Sequence, residues 1–117
     1  MGRLSTHVLD TASGHPAEGM RIDLHRVEEG GAAIHVVTAI TDTDGRTGGP
    51  LVDGDAMRAG TYRLAFHVGE YFDARGTPGA RQFLRVVPVV FVIDDPDANY
   101  HVPLLVTPWS YSTYRGS

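Results

Sequence analysis

The sequence predicts an all-β fold: an antiparallel β-sandwich of about seven or eight short strands with one short helix. The clearest observation is strict alternation between Thr61 and Val68, where Tyr62, Leu64, Phe66 and Val68 share one face and Arg63 and His67 the other. Such period-2 patterning marks a half-buried strand. A second is the spread of fourteen Gly and seven Pro in small groups, which punctuate short β-like segments at roughly ten-residue spacing. A third is length: 117 residues is the scale of one domain, against a prior of roughly 150. Residues 1–117 are therefore read as a single domain, without internal repeats or low-complexity stretches.

The elements follow in order. Arg3 to Leu9 reads as a first strand, closed by the turn Ser13-Gly14-His15-Pro16. Arg21 to Val27 alternates, with Ile22 and Leu24 opposite Asp23 and His25. Glu28-Glu29-Gly30-Gly31 turns the chain into a strand from Ala33 to Thr41, which ends at Asp42-Thr43-Asp44-Gly45-Arg46. Leu51 and Val52 form a short edge piece before the Thr61–Val68 strand. Glu70 to Arg75 lacks alternation and stops at Gly76, which fits a short helix with glycine at its C-terminal end. Arg85 to Ile93 is an apolar strand, and its Pro88 calls for a bulge or a sheet edge. Strands at His101 to Thr107 and Ser110 to Arg115 complete the chain, joined around Pro108-Trp109.

Composition excludes several chemistries. Cysteine is absent, which removes disulfides, thiolate metal sites and cysteine nucleophiles. All ten basic residues are arginine, so there is no lysine for a Schiff base. The net charge of −4 and the lack of a basic run argue against a nucleic-acid partner. The longest apolar run, Val86 to Ile93, is far short of the ~20 residues of a membrane helix. No apolar stretch follows the N-terminus as a secretory signal would, so a cytoplasmic location is expected.

Six histidines invite a metal reading, yet no pair has the i, i+4 spacing of a helical zinc motif. His15, His25, His35 and His67 fall on turns and polar strand faces, as surface histidines do. No serine sits in a nucleophile elbow, and the carboxylates cluster in turns, where they cap backbone. The C-terminal block differs. On a strand, Val102, Leu104 and Val106 form an apolar face for the core, leaving His101, Pro103, Leu105 and Thr107 on the other. In the first strand Ser5, His7 and Leu9 alternate with Leu4, Thr6 and Val8. Adjacent strands would bring His7 and His101 together on an outward sheet surface.

Several motifs spread over the whole chain carry a resemblance. They are Leu4-Ser5-Thr6-His7-Val8-Leu9-Asp10 followed by Gly14-His15-Pro16-Ala17; Thr43-Asp44-Gly45-Arg46; and His101-Val102-Pro103-Leu104-Leu105 with the ending Tyr114-Arg115-Gly116-Ser117. The chain resembles the 5-hydroxyisourate hydrolases, the transthyretin-related enzymes of urate breakdown. The terminal tetrapeptide is the most specific element, since the family's hydrolases end this way and the hormone-carrying transthyretins do not. Gly69-Glu70-Tyr71-Phe72 looks like the family's single helix.

The resemblance implies a transthyretin-like sandwich assembled as a homotetramer, a dimer of dimers, with an active channel between dimers. It implies hydrolysis of 5-hydroxyisourate to 2-oxo-4-hydroxy-4-carboxy-5-ureidoimidazoline by direct water attack, without cofactor or metal. His7 and His101 would manage the proton, and Arg46 would hold substrate oxygens and developing negative charge. Tyr114 would close the pocket, and Ser117 with its terminal carboxylate would anchor the tail. The sequence departs from the family pattern at Asn99, where a second histidine is common, and at Phe83-Leu84-Arg85-Val86-Val87. Asn99 can hydrogen-bond but cannot carry a proton between water and substrate. Two other functions compete: a carrier of a small aromatic ligand in the same channel, and a metal-dependent hydrolase using the same histidines. Which histidine acts as base stays open at this level.

Overall fold

A computed structural model describes residues 1–116, so Ser117 and its expected anchoring role lie outside the described residues. Two β layers enclose the core. The first is built from β1 (Arg3–Ser5), β2 (Val8–Asp10), β3 (His15–Pro16), β6 (Val52–Asp53), β9 (Asn99–His101), β10 (Leu104–Val106) and β11 (Tyr111–Thr113). The second contains β4 (Arg21–Val27), β5 (Ala33–Ile40), β7 (Gly60–Phe66) and β8 (Val87–Ile93), in the order β5-β4-β7-β8. A helix, α1 (Val68–Ala74), follows β7, and a 3-10 turn covers Gly54–Ala56.

The alternation read from sequence is realised in the packing. Tyr62, Leu64 and Phe66 of β7 are buried, as are Ile22 and Leu24 of β4. Leu4, Val8, Leu104 and Val106 meet them from the opposite layer. Pro88 pairs with Ala65 on β8, the edge strand, where a missing N–H is tolerated. The helix begins at Val68 rather than Glu70, and Gly76 follows it with φ +77°.

Two single strands expected from sequence are each split in two. The first breaks at Thr6-His7 because Thr6 turns inward and donates its hydroxyl to the carbonyl of Val102 at 2.7 Å. Beyond the break the Val8 N–H goes to the Gly45 carbonyl at 2.9 Å. The His101–Thr107 strand breaks at Val102-Pro103, where proline has no N–H to donate. The two halves still form one layer, because Val102 N–H donates to Ser5 O and Leu104 N–H to His7 O, each at 2.9 Å.

The wholly antiparallel arrangement is corrected in one place. β1 runs parallel to β9, with Ser5 beside His101, and β2 runs parallel to β10, with Leu9 beside Leu105. First and last strands are joined only through the rest of the chain, so no hairpin forces opposite directions on them. This parallel seam carries the candidate site.

Candidate active site

The seam puts His7 and His101 on the same outward face. In register, His101 lies directly beside Ser5, two residues before His7. Ser5 Oγ and His101 Nδ1 are 2.9 Å apart. His7 Nε2 donates to the backbone carbonyl of Asp44 at 2.7 Å. A carbonyl oxygen only accepts, so this bond fixes the proton on Nε2 and leaves Nδ1 as a free acceptor.

Arg46 arrives from the turn after β5. Asp42 Oδ1 accepts from the N–H groups of Asp44 at 2.9 Å and Arg46 at 3.1 Å, and Gly45 N–H donates to Asp42 O at 2.9 Å. Gly45 takes φ +76° and lies so close to the Val8 carbonyl and Pro16 that a side chain has no room. The Asp-Gly-Arg turn therefore has two products: it aims Arg46 over the seam and presents the Asp44 carbonyl to His7.

The His101 imidazole is held below its ordinary pKa. Partial burial is the largest cause, followed by the positive charge of Arg46 and then His7. A neutral ring beside a permanent cation suits proton transfer near neutral pH. Two adjoining cavities, of about 310 and 320 Å³, share Arg3, Ser5 and Arg46 on their walls, and His101 and Asn99 border the second.

The chain's tail closes over His101. Gly116 N–H donates to the His101 carbonyl at 2.7 Å. A Cβ on Gly116 would stand 2.6 Å from His101 Cδ2, so glycine permits this approach. Tyr114 takes another place: it is exposed and borders a third cavity, of about 290 Å³, with Val90, Val92 and Tyr100. Within one chain it does not share the walls that His101 shares with Arg46. Thr107, on the His101 face by sequence, instead accepts from the N–H groups of Trp109 and Ser110 at 3.1 and 2.9 Å and organises the last turn.

Two of the other histidines, His67 and His35, are engaged by side chains of the second layer. His67 Nε2 lies 2.8 Å from Asp23 and its Nδ1 3.1 Å from Arg21, while His35 bonds Thr38 at 2.7 Å. Among the described residues no three His, Asp or Glu side chains converge as a metal site. Sequence reasoning did not single out Ser5 or Asp44. Ser5 had a signal, since it alternates with His7 on the outward face; Asp44 contributes a backbone atom and had none.

The sequence profile of the HIUase/Transthyretin family matches residues 4–116. The chain belongs to this family. Among family relatives, a protein of Rhizobium meliloti named 5-hydroxyisourate hydrolase 2 is 52% identical over 99% of this chain and 97% of its own. The 5-hydroxyisourate hydrolase of Deinococcus radiodurans is 50% identical over 97% of this chain and 95% of its own. The crystal structure of an (S)-allantoin synthase superposes with a TM-score of 0.92 at 50% identity, covering 99% of this chain and 44% of that one. Sea bream transthyretin in complex with thyroxine gives a TM-score of 0.86 at 29% identity, covering 97% and 94%. The family's transthyretin-like sandwich is thus the fold seen here, and sequence identity to the named hydrolases exceeds that to sea bream transthyretin.

Proposed function

We propose that this chain hydrolyses 5-hydroxyisourate in urate catabolism, as its family relatives named for that reaction do. The observation that carries the reading is the meeting of His7, His101 and Arg46 on the parallel seam. Water adds to the ring carbonyl carbon of the strained acyl–urea bond, and the C–N bond then breaks. One water proton passes to the leaving nitrogen and the other is released as the new carboxylic acid ionises.

His7 is the base in this scheme, because its Nε2–H is committed to Asp44 and Nδ1 has the free lone pair. The proton that His7 takes from water reaches the leaving nitrogen by way of His101, and both rings end the cycle neutral. Ser5, donating its hydroxyl to His101 Nδ1, would keep that ring's proton on Nε2. Arg46 takes the developing oxyanion through its planar fork. Tyr114 closes the pocket from a neighbouring subunit, and Ser117 anchors the tail. The active form is a homotetramer, a dimer of dimers, with residues 1–117 of each chain acting as one domain. Exposed Val90 and Val92 on edge strand β8 and the exposed strand β11 offer surfaces for such assembly. No helix among the described residues is long and apolar enough to cross a membrane, and we place the enzyme in the cytoplasm.

The ultraviolet decay of freshly made 5-hydroxyisourate tests the reading. The protein is expected to accelerate it, and His101→Ala and Arg46→Ala proteins that stay folded are expected to lose most of the effect. A decay equal to the spontaneous rate would overturn hydrolysis and favour a carrier.

A further inference from the structure

Arg3 is the second guanidinium on the seam. It precedes Ser5 by two residues, so Arg3, Ser5 and His7 share the outward parity of the first strand. It borders both cavities together with Arg46. In register its parallel neighbour is Asn99, whose residue also borders the second cavity. That cavity has no carboxylate on its wall: Arg3, Ser5, Arg46, Asn99, Tyr100 and His101 enclose it. Asp53 is the antiparallel partner of Arg3, yet among the described residues no carboxylate oxygen lies within 4.0 Å of either Arg3 or Arg46.

Asp42 borders the first cavity, and Asp53 and Asp55 lie on the far side of Arg3, but among the described residues none of them pairs with either guanidinium, so the second cavity offers two cations to an anion. Arg46 already has a task at the reacting carbonyl. Ring opening creates a second charge that the ring does not have, the carboxylate formed when the C–N bond breaks. A guanidinium fork matches a carboxylate in two parallel N–H···O bonds, and an amide beside it adds a further donor.

We infer that Arg3 and Asn99 form a carboxylate subsite at the end of the cleft, which receives the carboxylate released by ring opening and selects ligands that carry one. This rests on the hydrolase reading for the origin of the charge, not for the binding of a carboxylate itself. It gives Asn99 a positive role: a neutral amide leaves the Arg3 charge for the ligand without adding a titrating group.

The test uses orotate, a planar uracil ring bearing a carboxylate, against uracil, its neutral parent, by isothermal titration of the assembled protein. Orotate is expected to bind at least about tenfold more tightly, as a charge-assisted hydrogen-bond pair provides. Arg3→Gln is expected to abolish that preference with uracil binding unchanged, and Arg3→Lys to retain part of it. Equal binding of orotate and uracil to the native protein overturns the subsite. So does a preference that survives Arg3→Gln and disappears in Arg46→Gln. The titration needs no turnover, so absent ring-opening activity would count against the hydrolase reading alone.

Discussion

His7 and Asp44 are joined by a 2.7 Å hydrogen bond in which the imidazole Nε2 donates and a backbone carbonyl accepts. The partner is part of a turn stapled by Asp42, so the ring is held by backbone rather than by a mobile side chain. Nitrogen NMR of His7 is expected to report the Nε2–H tautomer with an unprotonated Nδ1. The opposite tautomer would remove His7 from the base role. His7→Ala should lower kcat/KM by roughly 10²–10⁴-fold, the scale of a lost general base.

The charge of Arg46 acts on His101. Burial and the Arg46 charge keep the imidazole deprotonated below its ordinary pKa near ~6.5. The His101 ring should therefore titrate below that value. In Arg46→Gln the cation is gone and the His101 pKa should rise, as proton NMR titration of the ring would show. A depressed histidine binds fewer protons folded than unfolded, so its contribution is lost as pH drops below the ordinary histidine range. A His101 titration unmoved by Arg46→Gln would break the electrostatic link.

Ser5 is a positioning residue whose effect runs through His101 Nδ1 at 2.9 Å. Ser5→Ala should leave KM near its native value and lower kcat about tenfold, the worth of one hydrogen bond of roughly 1.4 kcal/mol. It should also shift the pH profile, because Nδ1 of His101 loses its partner. Ser5→Thr keeps the hydroxyl and should recover part of the rate. A fall in KM and kcat together with thermal stability, with no change in pH profile, would assign Ser5 to folding alone.

The tail is held at Gly116 by its N–H and by lack of a side chain. Gly116→Ala places a methyl 2.6 Å from His101 Cδ2, so tail or ring must move. Because displacements near 1 Å at a reacting centre cost on the order of 100-fold, kcat/KM should drop steeply. The melting temperature should change little, since the residue follows the last strand. Native kinetics in Gly116→Ala would show that the tail is not coupled to the ring.

Much of this arrangement was legible in the chain. Alternation at Tyr62, Leu64 and Phe66 fixed a buried face because each outward position is polar or small. His7 and His101 were placed outward by the same parity. What parity does not carry is pairing direction and register, which depend on contacts between residues 96 positions apart, such as Ser5 and His101. Hence the parallel seam, the Ser5 contact and the breaks at Thr6 and Pro103 needed coordinates. The Asp44 role was hidden for a different reason: it is a carbonyl, and every residue has one.

Tyr71 links the helix to the first layer. Its hydroxyl donates to Asp10 Oδ2 at 2.9 Å, and Asp10 Oδ1 accepts from the N–H groups of Ala12 and Ser13, each at 3.0 Å. Both side chains are buried, so Tyr71→Phe leaves a carboxylate oxygen short of a donor. The expected cost is about 1–3 kcal/mol, read as a lower denaturation midpoint with an unchanged m-value. Burial, then the Asp10 hydrogen bond and charge, push the Tyr71 phenol up to about 12. A phenol raised in the folded state binds more protons folded than unfolded between its ordinary value near ~10 and the raised one. The Tyr71 contribution is thus complete below that window and is lost as pH rises through it. The stability gap between native and Tyr71→Phe proteins should narrow from neutral pH toward pH 12. A gap constant across that range would mean that the hydroxyl is not the source of the difference.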